Sequence, residues 1–102
     1  VIRLYSSLPK STEAQVLGKQ VLRSATSVGA YYREGMRARS DAEFISKLEG
    51  GLQELEESLY WFELLTESGI VKNELLSALY HEGEELRAIM ITCVKKVKDK
   101  RK

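Results

Sequence analysis

The chain predicts an all-α fold, an antiparallel up-and-down four-helix bundle forming one domain over residues 1–102. Three observations carry that reading. Apolar residues recur at spacings of three and four through three long segments, as in helices that bury one face. No segment alternates with a period of two. A single Pro and seven Gly leave few breakpoints. The connections are therefore short, and short connections force neighbouring helices antiparallel.

Val1, Leu4, Tyr5 and Leu8 have the spacing of a helix end, and Pro9 closes it. The chain opens on Val1, so this first helix is expected to be shortened. Residues 11–33 form the first long segment, capped by Ser11 or Thr12. Ala14, Gly18, Val21, Ala25, Val28 and Tyr32 make its seam. Its small residues, Ala14, Gly18, Ala25 and Gly29, allow close approach of a neighbour, which places this helix at the centre of the bundle. Gly29 weakens a helix by about 1 kcal/mol relative to Ala and is expected to mark a bend.

The second long segment opens on a capping box, Ser40-Asp41-Ala42-Glu43. Ile45, Leu48, Leu52, Leu55, Leu59 and Phe62 follow in register, widened by Phe44, Trp61 and Leu65. So broad a stripe needs more than one partner helix. Glu49, Glu56 and Glu63 lie seven apart on one flank, and Gly69 reads as the C-cap. The third segment, residues 73–98, has its seam at Leu76, Leu79, Gly83, Leu86, Met90, Cys93 and Val97, with Leu75, Ile89 and Val94 beside it.

Charge is segregated along the chain. Residues 1–40 carry a net +5, residues 41–85 a net −10 and residues 86–102 a net +6, within an overall +1. Such a chain neutralises itself inside one bundle, pairs with another copy, or displays a basic face to nucleic acid. Cys93 is the lone cysteine, so no internal disulfide forms, and a cytoplasmic location is expected. No apolar run approaches the roughly 20 residues that span a bilayer, and no membrane partner or signal peptide is expected.

The residues that carry chemistry are sparse. A carboxylate-bridged metal site in a bundle needs inward Glu-x-x-His pairs, but His81 is the only histidine and position 78 is Ala. His81 and Glu85, one turn apart, read as a surface pair. Cys93 sits on the apolar seam without a base and reads as a buried, inert thiol. No Gly-rich phosphate loop follows a strand. An enzyme, a metal site, a cofactor or a small-molecule substrate is therefore not expected. The distinctive stretch is the junction of residues 30–40, where Tyr31, Tyr32, Arg33, Arg37 and Arg39 gather. Arg and Tyr are preferred both at subunit interfaces and against phosphates and bases, so these five residues are candidate contacts for either.

Several blocks converge on one family: Leu8-Pro9-Lys10; residues 20–30; Tyr32-Arg33-Glu34-Gly35; Arg37-Ala38-Arg39-Ser40; Ala42-Glu43-Phe44-Ile45; and Leu59-Tyr60-Trp61. They resemble the bacterial four helix bundle protein family, encoded by intervening sequences within 23S ribosomal RNA genes. The resemblance covers the chain from Leu8 onward. It implies an up-and-down four-helix bundle that assembles as a homopentameric ring, and it supplies no catalytic residues or cofactor. The expected function is thus a non-enzymatic homo-oligomer, with acidic flanks of the second long helix facing basic flanks of a neighbouring copy. The alternative is an RNA- or DNA-binding accessory protein that uses Arg33, Arg37, Arg39 and the basic residues 95–102.

Overall fold

The computed structural model of the chain describes residues 1–71 and 73–100. Its helices are α1 (Ile2–Ser7), α2 (Thr12–Met36), α3 (Asp41–Ser68) and α4 (Asn73–Lys100), with no strand among the described residues. The helix ends follow the capping signals. Ser11 Oγ accepts the Ala14 N–H, and Ser40 Oγ accepts the Glu43 N–H at 3.1 Å. Glu43 returns its carboxylate to the N–H of Arg39, not of Ser40, which closes the box one residue early. Gly69 ends α3 at φ +70°, a left-handed conformation that suits a residue without Cβ.

Two expectations about α2 change. It runs unbroken through Gly29, which lies on the surface with open space around it, so no bend occurs there. It also continues past Arg33 to Met36, because Gly35 packs under Leu48; a Cβ at Gly35 would lie 2.9 Å from Leu48 Cδ2.

Residue partners give the topology. Ser24 meets Ser58 and Glu34 meets Lys47, so α2 and α3 are antiparallel. Tyr80 meets Glu63 and Lys98 meets Glu49, so α3 and α4 are antiparallel. α2 and α4 nowhere bring their described backbones within 8 Å. The central long helix is therefore α3, not the small-residue helix α2. The small residues at the start of α2 serve α1 instead: the Leu8 and Tyr5 side chains pack directly over Gly18, leaving no room for a Cβ. The broad stripe of α3 does what its width required, and faces α2 with one half and α4 with the other.

The result is a rod of 50 × 19 × 16 Å. Its core falls into two apolar clusters. Leu4, Leu8, Ala14, Val21, Leu59, Phe62, Leu65 and Leu76 fill the end covered by α1. Val28, Leu48, Leu55, Met90 and Val94 fill the other. Between them lie Ser24 and Ser58, buried to 0% and 2% exposure, with their hydroxyls 2.8 Å apart. Each is also within hydrogen-bond reach of a carbonyl of its own helix, Val21 and Glu54 respectively. These small side chains set how closely α2 and α3 can cross. No described helix is long and apolar enough to cross a membrane.

The crossing is limited by size more than by polarity. Ser24→Leu should lose about 1–3 kcal/mol of unfolding free energy through overpacking. Ser24→Ala should lose about 1 kcal/mol or less, because Ser58 keeps the Glu54 carbonyl. Urea denaturation of the two variants measures the order.

Candidate functional site

The Arg/Tyr junction is divided by the fold. Tyr31 is half-buried, with its ring laid over Gly50 of α3; a Cβ at Gly50 would lie 2.8 Å from Tyr31 Cε1, and one at Gly51 would lie 2.9 Å from Met90 Cε and 3.2 Å from Tyr31 Cβ. Gly50 thus admits the Tyr31 ring and Gly51 admits Met90 of α4, and the Tyr31 ring is committed to packing. Tyr32, expected on the α2 seam, is instead 41% exposed. The buried stripe passes through Val28, Tyr31 and Gly35; Tyr32 lies about 100° around the helix from Tyr31, on the edge of that stripe. Arg33 is exposed on the last turns of α2, Arg37 is its C-cap residue, and Arg39 lies exposed in the link to α3. Of the basic tail, Arg101 and Lys102 lie outside the described residues.

The acidic flanks of α3 are engaged inside the chain. Arg23 of α2 bridges Glu54 and Glu57, and the hydrogen bond to Glu57 raises the guanidinium pKa further above its already high value. On the opposite flank, Glu49 pairs with Lys98 at 2.7 Å, Glu56 with Arg87 at 3.3 Å, and Glu63 accepts the Tyr80 hydroxyl at 2.8 Å. The seven-residue spacing of those three glutamates is the spacing of α4 side chains against α3. Expectation had assigned this flank to a neighbouring copy; the same chain supplies its partners.

Apolar surface remains on two sides. Where α2 and α4 stand apart, a groove of about 190 Å³ opens over α3, lined by Ala25, Val28, Leu55, Phe62, Leu79 and Leu86, among others. Helical spacing continues its walls through Gly29, Tyr32 and Met36 on α2 and Ile89 on α4; Met36 is 50% and Ile89 57% exposed. Tyr60 lies two residues from both Ser58 and Phe62, about 200° around the helix from the groove floor. It is 52% exposed and steadied by the Trp61 ring, whose centroid is 5.0 Å away. The Trp61 Nε1 is buried and has no hydrogen-bond partner.

A second cleft, between the end of α3 and the start of α4, is lined by Glu63, Glu67, Tyr80, His81 and Glu84. Its histidine pairs at 2.9 Å with Glu85, as its one-turn spacing indicated. Its tyrosine is held protonated: the hydrogen bond to Glu63, reinforced by desolvation, pushes the phenol up to about 12. At neutral pH this phenol is a donor. Cys93 is half-buried beside the second core cluster, less enclosed than its place on the seam suggested. No three His, Cys, Asp or Glu side chains among the described residues are grouped to hold a metal.

Known proteins resemble the chain as follows. The sequence profile described as 23S rRNA-intervening sequence protein matches residues 1–92. A solved structure from Bacteroides thetaiotaomicron, a protein of unknown function from the S23 ribosomal protein family, is 36% identical over 92% of this chain and 84% of its own, with a TM-score of 0.86. No curated protein matches.

Titration tests the Tyr80–Glu63 geometry. The folded-state pKa lies above the ordinary 10.0. The stabilisation is therefore complete below that value and is lost as pH rises through about 12. Glu63→Gln should bring the Tyr80 titration down toward its ordinary value, read by ultraviolet difference absorbance against Tyr80→Phe.

Proposed function

The chain belongs to the 23S rRNA-intervening sequence protein family, and on that footing we propose that it is a non-enzymatic bundle protein that assembles into a homo-oligomeric ring, a homopentamer. One observation carries the reading: a single protomer presents apolar surface on two opposite sides, the α2/α4 groove and the Tyr60 face of α3. A groove on one side and an aromatic projection on the other suit a heterologous contact, in which different patches meet and the chain of contacts closes into a ring. Exposed apolar surface of this kind marks interaction sites.

Internal pairing of the α3 acids bears on how the contact forms. The ion pairs are already made within the protomer, so shape and apolar burial drive the contact and net charge does not. A side of 50 by 19 Å exceeds the roughly 800 Å² per partner that a standard interface buries.

Sedimentation velocity with light scattering should give one closed species with the mass of five chains. Ile89→Glu on the groove and Tyr60→Glu on the opposite face should each release folded, helical monomers. Each should raise the dissociation constant at least about tenfold, as expected for a charge placed at an interface centre. A wild-type chain that stays monomeric at every concentration overturns the reading.

A further inference from the structure

One end of the rod carries positive charge that the protomer does not compensate. The C-terminal ends of α2 and α4 both flank the first turns of α3: Lys47 pairs with Glu34 at 3.2 Å, Lys98 with Glu49 at 2.7 Å and Lys100 with Asp41 at 3.5 Å. The acids at this end are all engaged. Glu34, Glu49 and Asp41 hold those lysines, Glu43 accepts the Arg39 N–H, and Asp99 has a partner of its own. Left over are Arg33, Arg37, Arg39, Lys95 and Lys96, exposed side chains with no acidic partner among the described residues. The opposite end differs. There the unpaired Arg3, Lys10 and Lys19 stand among the equally unpaired Glu13, Glu67, Glu74 and Glu82.

Fold stability does not account for the excess. Two helix C-termini bring about −0.5 charge each to this end, and the N-terminus of α3 returns about +0.5. That leaves roughly half a negative charge against five unpaired cations. Arg33 and Arg37 are one turn apart on one face of α2, a spacing at which like charges repel. Beside Arg33 stands Tyr32, exposed, while its neighbour Tyr31 is spent on packing against Gly50.

We infer that this end of the bundle binds single-stranded nucleic acid, with Arg33, Arg37, Arg39, Lys95 and Lys96 on successive phosphates and Tyr32 as a face on which an unpaired base stacks. The guanidiniums supply bidentate donors to phosphate oxygens. The aromatic makes a strand with free bases a better fit than a duplex. All six residues belong to one protomer, and Tyr32 also borders the α2 wall of the groove, so a strand and a second copy meet at that residue.

Fluorescence anisotropy of a labelled mixed-sequence oligoribonucleotide tests it on the full chain. Affinity should fall about 10²-fold between 50 and 200 mM salt, as expected for some five phosphate contacts to a single strand. The combined Arg33→Ala, Arg37→Ala, Arg39→Ala variant should shallow the logarithmic salt slope by about 2, and Tyr32→Ala should weaken binding about tenfold. Circular dichroism should show both still helical. Lys95→Ala with Lys96→Ala gives a second, independent reading. The control is Arg3→Ala, Lys10→Ala, Lys19→Ala, which removes equal charge from the opposite end and should leave affinity unchanged. Equal losses from both ends, no binding at 50 mM salt, or tighter binding to phosphatidylserine vesicles than to the oligonucleotide would each overturn the inference.

Discussion

A helix that buries stripes against two neighbours keeps only a narrow arc of its circumference for water, and α3 is in that position. Leu55, Leu59 and Phe62 serve the core while Ser58 faces Ser24 of α2 and Glu56 faces Arg87 of α4. Everything else is arranged around that double contact. Gly50 makes room for Tyr31 of α2, Gly51 for Met90 of α4, and Ser58 for the α2 crossing. Glutamates occupy the two borders of the buried stripe, where arginine and lysine from both neighbours reach them. Exposed ion pairs of this kind contribute little stability each. Their repetition on both flanks sets the register of the long helices more than it sets the depth of the free-energy minimum.

Helix number, type and caps were legible in the sequence because each has a local cause. Ser40 caps with its own hydroxyl, Gly69 turns with its own backbone, and the spacing of Leu48, Leu55 and Phe62 is a property of one helix. The identity of the central helix was not legible, since it depends on which partner fills a small-residue stripe. Gly18 admits Leu8 and Tyr5 of the short α1, and no rule of composition separates that from admitting a long helix. The Arg/Tyr cluster was found from the sequence, yet its division between Tyr31 and Tyr32 was not. The two residues differ by about 100° around α2, and the buried stripe drifts by about 40° toward the Tyr31 side between Val21 and Gly35. The pairing of Glu49, Glu56 and Glu63 was half legible: the seven-residue period was visible, but a partner helix and a partner subunit give the same period.

The placement of charge separates two roles that composition mixes together. The acids and the bases that meet along α3 hold the protomer's register. The cations beyond the last ion pair at one end hold nothing within the chain. The apolar groove lies between these sets, on the side where α2 and α4 stand apart. A surface for copies of the chain and a surface for a polyanion therefore adjoin on one rod, with Tyr32 of the groove wall at their border.

The buried hydroxyl pair at Ser24 and Ser58 has a further consequence, for motion. It interrupts the apolar core at mid-length, where the groove opens across the join, between Phe62 and Leu79 on one side and Val28, Leu55 and Leu86 on the other; α1 covers only the first cluster. Amide protons in the α1 half exchange with solvent through openings that disrupt a larger closed cluster. Those of the other half need only release Val28, Leu48, Leu55, Met90 and Val94. Hydrogen exchange should therefore be faster in the half without α1, which is the half that carries the unpaired cations.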